Sequence, residues 1–169
     1  MSPSPMLTIR PRTPADLPAL AAALRAVHEA QGYPSLWPED PQAFVAGHGT
    51  AWVALHAGQV AGQVILSPIP DPPPTWTGAL TVPGPWLEVK RLFVTPRAQG
   101  QGAARALLAH AADQARQAGA RAVLQVNERS APAIALYDRE GWQRLGTARG
   151  SWQEADGTVP TVLVYAAPA

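Results

Sequence analysis

The sequence predicts a single domain, residues 1–169, of mixed α/β class, and three observations predict it. Strand-forming runs and helix-period runs alternate along the whole chain. Two strand runs, residues 51–57 and 60–66, flank Gly58-Gln59 and read as a hairpin with a two-residue glycine turn. A strand, a glycine-containing loop and a helix start follow one another between Glu88 and Leu108. The 169 residues are enough for one sizeable core. A hydrophobic content of 47% against 15% charged residues places the chain among globular proteins and not disordered ones.

Composition also excludes. A net charge of +1 argues against a broad nucleic-acid or membrane footprint. No run approaches 18 apolar residues, so no membrane span is expected. Without a cysteine there is no disulfide, thiolate metal site or cysteine nucleophile. The first five residues lack the basic and apolar regions of a signal peptide, so the expectation is a cytoplasmic enzyme or binding domain. His28, His48, His56 and His110 are lone histidines without ligand spacing, so no metal is assigned; His110 reads onto the exposed side of its helix.

In order, residues 6–10 form a strand. Thr13-Pro14-Ala15-Asp16 opens a helix with a capping Thr, a Pro in the first turn and an acid at the dipole end. Leu17, Leu20, Ala21, Leu24, Val27 and His28 give it an apolar face, and Gln31-Gly32-Tyr33-Pro34 stops it. Residues 41–46 make a short second helix. The hairpin follows. Residues 67–85 hold seven prolines and read as a long loop whose stiffness holds Trp76 out on an arm, to cap a site, to meet a second copy, or as plain surface. Residues 86–94 form a strand with Glu88, Lys90, Leu92 and Val94 on one face and Val89, Arg91 and Phe93 on the other. A helix over 103–118 ends at Gly119, and 121–126 is a strand. Ser130 caps the next helix, with Pro132 in its first turn, and Gly141 ends it. Residues 149–153 and 159–165 are closing strands around the turn Ala155-Asp156-Gly157.

The loop between strand and helix at 95–103 is the chemical centre. Gly100 and Gly102 permit a sharp turn and a close backbone approach. Free N–H groups and the helix dipole converge on one spot that suits a phosphate. A dinucleotide fingerprint needs a third glycine where Arg105 stands. A P-loop needs Gly-Lys-Ser/Thr, and the only lysine is Lys90, upstream.

Gln99-Gly100-Gln101-Gly102-Ala103-Ala104 after Val94-Thr95-Pro96 resembles the acetyl-CoA signature of the GCN5-related N-acetyltransferase (GNAT) family, Arg/Gln-x-x-Gly-x-Gly/Ala. A second run, Leu124-Gln125-Val126 then Ser130 to Tyr137 and Gly141-Trp142, resembles that family's second signature, with Ser130 for the usual Asn and Trp142 for the usual Phe. The resemblance implies the acyl-CoA N-acyltransferase fold: a largely antiparallel sheet with two central parallel strands splayed apart and about four flanking helices. It implies acetyl-CoA as co-substrate and a primary amine of a small molecule, amino acid or peptide as acceptor. The pyrophosphate falls to backbone N–H groups from Gln99 through Gly100, Gln101, Gly102, Ala103 and Ala104 to Arg105, with Arg105 available for phosphate charge. A backbone N–H among Leu92, Phe93 and Val94 polarises the thioester, and Ser130 can donate to a pantetheine oxygen. Tyr137 matches the general acid. Glu88 matches a general-base position, and equally a Glu88–Lys90 pair on one strand face. Tyr33 and Trp37 form an acceptor-side wall or pack on the core, with Trp76 a third acceptor-side candidate. Relatives often pair as dimers; a homodimer, a different acyl group and a CoA-binding module without turnover all stay open.

Overall fold

In the computed structural model, which describes residues 6–169, eleven elements follow in order. They are β1 (Leu7–Pro11), α1 (Leu17–Gln31), α2 (Pro41–Ala46), β2 (Thr50–His56), β3 (Gln59–Pro68), β4 (Trp86–Val94), α3 (Ala103–Gln117), β5 (Arg121–Asn127), α4 (Ala131–Arg139), β6 (Gln143–Arg149) and β7 (Thr161–Ala166). The strands form one seven-stranded open sheet in the order β1-β2-β3-β4-β5-β7-β6. The pairs β1–β2, β5–β7 and β6–β7 are antiparallel, while β4 and β5 are parallel. That parallel ladder covers only Trp86–Glu88 against Arg121–Val123, a short part of both strands, as the expected splay requires. The chain divides into two compact units: Met1–Ile65 with Lys90–Ala111, and Leu66–Val89 with Ala112–Ala169.

In the first unit, the chain enters α1 through a 3-10 turn at Pro14–Asp16. Thr13 and Asp16 form a capping box there, in which Asp16 Oδ2 accepts from the Thr13 N–H at 2.8 Å. The two Asp16 oxygens also take a bidentate pair from Arg10, each at 2.8 Å. These bonds hold the Asp16 carboxyl down at about 2, the Arg10 hydrogen bond being the largest cause. The apolar face of α1 buries Leu20, Ala23, Leu24 and Val27 against Val45, Val53 and Phe93. The hairpin turn sits one residue earlier than expected, on Ala57-Gly58, both with positive φ (52° and 77°). Two left-handed central residues match the twist of the strands, and this pair provides them. A Cβ on Gly62 would lie 2.2 Å from the Phe93 carbonyl oxygen, so β3 runs past the end of β4 at a distance only glycine allows. Arg91 is left-handed (φ 51°) and interrupts the regular alternation of β4. His110 is not on an open face: it packs edge-on to Trp52, with ring centroids 5.0 Å apart.

The second unit corrects two expectations. Trp76 is not held out on an arm. A 3-10 turn at Thr75–Ala79 turns it inward, where it is 1% exposed and packs with Val123, Val162 and Val164. The proline-rich run therefore lays an indole over the sheet as core, because the apolar area of one Trp outweighs the ordering of a stiff segment. The strand expected at 149–153 lies instead at Gln143–Arg149. Residues 150–160 form the β6–β7 loop, turning where Gly157 N–H donates to the Glu154 carbonyl. β7 enters between β5 and β6 and bonds to both. Ser130 precedes α4, but its side chain makes no capping hydrogen bond. Behind α4, Tyr165 donates to Asp138 Oδ1 at 2.8 Å and accepts from Arg144.

Replacing Asp16 with Asn is expected to cost about 1–2 kcal/mol near neutrality. The folded carboxyl is depressed, so its contribution is full above about pH 4 and disappears as pH falls to about 2. Urea melts of both proteins across that window should converge at the acid end. Trp76→Ala should cost about 3–5 kcal/mol by the same melts, whereas a surface-arm tryptophan would cost less than ~0.5 kcal/mol.

Candidate functional site

The first unit carries the loop. The end of β4 is tied down by the Thr95 N–H donating to the Ala61 carbonyl at 2.7 Å. Pro96–Ala98 makes a 3-10 turn closed by the Gln99 N–H on the Pro96 carbonyl. The Gln99 side chain is occupied: its Nε2 donates to the Val94 carbonyl at 3.2 Å and its Oε1 accepts from Gln31 at 2.8 Å. It braces the loop against the strand end and α1. Gly100 and Gly102 both have positive φ, 80° and 83°, and a Cβ built on either meets nothing within 4 Å. The backbone here is a left-handed cradle facing open space. The first α3 bond runs from Ala106 N–H to the Gly102 carbonyl at 3.0 Å, so the N–H groups of Ala103 and Ala104 at the head of the helix have no acceptor within it. Ala103 is buried, while Gln101 and Arg105 are exposed. An anion of phosphate type fits these donors. On β4 the side chains of Phe93 and Val94 are buried, and Phe93 belongs to the α1 core, so what these two can offer a ligand is backbone, while Leu92 is only half-buried.

The second unit carries the titratable residues. Glu88 is 2% exposed. Register places it beside Val123, so it shares a face with Gln125, two residues further along β5. Gln125 Nε2 donates to Glu88 Oε2 at 3.2 Å and to Ser151 Oγ at 2.8 Å. One step on, Asn127 Nδ2 donates to Glu154 Oε1 at 2.6 Å, which also accepts from the Trp152 indole at 3.4 Å. The β6–β7 loop is thus latched to two polar residues of β5. Tyr137, on α4, is buried between Trp142 and Tyr165, with centroids at 6.2 and 5.7 Å. Gln125 and Ser151 are functional candidates that sequence reasoning missed. The available signal was two polar residues, 125 and 127, in succession on one face of β5.

The acceptor-side trio separates. Trp76 is core of the second unit. Trp37 is half-buried over His28 at 5.0 Å and Arg25 at 5.8 Å, so it packs on α1. Tyr33 is 38% exposed. Its hydroxyl is pushed up to about 12 by desolvation, with the Arg91 charge opposing. Among the described residues, no group of three or more His, Asp or Glu is placed to hold a metal ion, and no helix is long and apolar enough to cross a membrane.

Comparison with known proteins gives a consistent picture. The model of the acetyltransferase (GNAT) family matches residues 17–142. N-acetyltransferase family 8 member 2 of Rattus norvegicus is 34% identical over 106 residues, which is 62% of this chain and 43% of that protein. The chain thus matches less than half the length of that relative. Among solved structures, the ribosomal-protein-S18-alanine N-acetyltransferase of Escherichia coli has a TM-score of 0.69 at 24% identity, over 96% of this chain and 94% of that one. Arabidopsis thaliana NAA60 in complex with acetyl-CoA has a TM-score of 0.71 at 19% identity, over 95% and 97%. At these identities the structural likeness speaks for the fold.

Gly102→Val places a β-branched residue at φ 83° and should cost about 1–3 kcal/mol. The Cβ has open space, so strain and not collision sets the loss. Chemical denaturation measures it, and a loss under ~0.5 kcal/mol would mean the loop relaxes out of the cradle.

Proposed function

The chain belongs to the acetyltransferase (GNAT) family, and we propose that it transfers the acetyl group of acetyl-CoA to a primary amine by direct attack. The observation that carries this reading is the cradle at Gly100–Gly102, open and anion-compatible, at the head of α3 in a chain of this family. Acetyl-CoA would supply the activated acetyl thioester. The backbone N–H groups from Gln101 to Arg105 would hold its pyrophosphate, with Arg105 adding charge. Gln99, occupied within the protein, would hold the loop in shape.

The remaining roles fall to β4 and α4. A backbone N–H among Leu92 to Val94 would polarise the carbonyl. Glu88 would take one proton from the incoming ammonium, directly or through water. The freed amine forms the N–C bond as the C–S bond breaks. Tyr137 would give its proton to the leaving sulfur and recover one from the newly acylated nitrogen. Acetyl thioester and ammonium thus become amide, thiol and one proton carried away by Glu88. Holding both reactants in place can contribute up to roughly 7–11 kcal/mol of the barrier. Ser130 has no capping duty, which leaves its hydroxyl available to a pantetheine oxygen.

The test is thiol release from acetyl-CoA across a panel of amines, amino acids and short peptides. The chain contains no cysteine, so every thiol detected comes from the co-substrate. Amine-dependent release is expected, and Tyr137→Phe should lower kcat by roughly 10²–10⁴-fold with the KM for acetyl-CoA within about twofold. Release with a longer acyl-CoA and none with acetyl-CoA would reassign the acyl group. Binding of CoA without release from any acceptor would point to a module without turnover, and no binding at all would overturn the reading.

A further inference from the structure

We infer that Gln125 is an acceptor-positioning residue, its side-chain oxygen taking an N–H from the incoming amine beside Glu88. The inference rests on the reading of the chain as an amine acetyltransferase.

The argument begins with which end of the amide faces where. The two ends of a Gln amide are alike in shape, and neighbours decide between them. The base role proposed for Glu88 requires it ionised, and a carboxylate can only accept, so the atom 3.2 Å from its Oε2 is the amide nitrogen. The second N–H of that nitrogen goes to Ser151 Oγ at 2.8 Å. Both donors are therefore spent, and the amide cannot turn over without setting oxygen against carboxylate. Oε1 is left closed off from solvent with no donor. A buried carbonyl in that condition is rare in folded proteins and calls for a partner.

The partner has to bring an N–H or O–H donor, and it has to tolerate a carboxylate one amide width away. An alkylammonium does both, since it has three N–H donors and a positive charge. Glu88 takes one N–H and Gln125 Oε1 a second. When Glu88 removes its proton, the bond to Gln125 remains and keeps the neutral amine in one orientation, with its lone pair directed away from the amide. Gln125 cannot itself act as a base, so its part is placement. Ser151, on the β6–β7 loop, fixes the amide and so links the conformation of that loop to the placement of the acceptor.

Two variants and one spectrum test this. Gln125→Leu keeps the approximate volume and removes the acceptor oxygen; the acceptor KM should rise roughly tenfold to a hundredfold, the loss of one hydrogen bond to a charged group, while the KM for acetyl-CoA stays within about twofold. Gln125→Glu restores an acceptor but sets a second carboxylate beside Glu88, so the acidic limb of the kcat/KM profile should move to higher pH. In the ¹⁵N spectrum of the wild-type protein, the Gln125 side-chain amide signal, assigned by its loss in Gln125→Glu, should shift saturably on titration with n-butylamine hydrochloride. An acceptor KM unchanged within twofold in Gln125→Leu, or both KM values rising together, would overturn the inference while leaving the acetyltransferase reading intact. Should the wild type release no thiol with any acceptor, the acetyltransferase reading fails, and the spectrum alone decides the amine site: a saturable shift upholds it and an unmoved signal overturns it. The same spectrum serves if Gln125→Leu does not fold.

Discussion

The carbonyl end of the six-residue helix α2 governs the first unit. A helix this short does not stand alone in water, and its last carbonyls have no partner within it. Three side chains from three separate segments supply the donors. Arg12 donates to the Val45 carbonyl at 2.8 Å and the Ala46 carbonyl at 2.7 Å. Gln63, fully buried on β3, donates to Val45 at 3.1 Å and to the Arg91 carbonyl at 3.4 Å, and its oxygen accepts from Arg12 at 2.8 Å. Arg91 donates to the Phe44 carbonyl and lies 4.1 Å over the Phe44 ring. Desolvation lowers the Arg91 guanidinium from its usual value, a cost the ring and carbonyl offset. The left-handed backbone at Arg91, worth about 1–3 kcal/mol of strain, persists because these contacts over-determine it.

That arrangement explains why the chain was legible in some places and not in others. The helices at 17–31 and 103–117 announced themselves through apolar spacing, a first-turn proline or glycine loop, and terminal glycines. The second helix was read at 41–46 and lies there, capped by the Asp40 carboxylate, which accepts from the Ala43 N–H at 3.0 Å. What failed was tertiary. Proline density in 68–85 reads as exposed loop, and no local rule says that its one indole will find a hydrophobic face. The strand Gln143–Arg149 has few apolar residues and sits at the sheet edge, so its pattern is weak, and the reading slid into the following loop. The hairpin turn slipped by one because Ala, which normally avoids positive φ, occupies a position that Gly usually takes.

The candidate site divides the same way. The loop at 99–105 was visible because backbone conformation there is written in glycines. Glu88 and Tyr137 were visible only through the register of two signatures. Gln99 was assigned to the ligand through its backbone, and its side chain, given no role in the sequence reading, braces the loop. Gln125 and Ser151 were missed, because their significance lies in a contact between residues 26 apart in sequence and in a carboxylate 37 residues before Gln125.

The place of β7 in the sheet bears on how the molecule is made. Thr161–Ala166 lies between β5 and β6, with a ladder to each. Synthesis delivers β5, α4 and β6 first, and until β7 emerges one edge of β5 has unpaired N–H and C=O groups beside an apolar surface. Such an edge is a template for pairing with a neighbouring chain. The last strand therefore closes two ladders in a single event, and the second unit gains its cooperativity late. On the ribosome, the interval between residues 127 and 161 is the stretch in which a nascent chain of this kind depends most on being shielded.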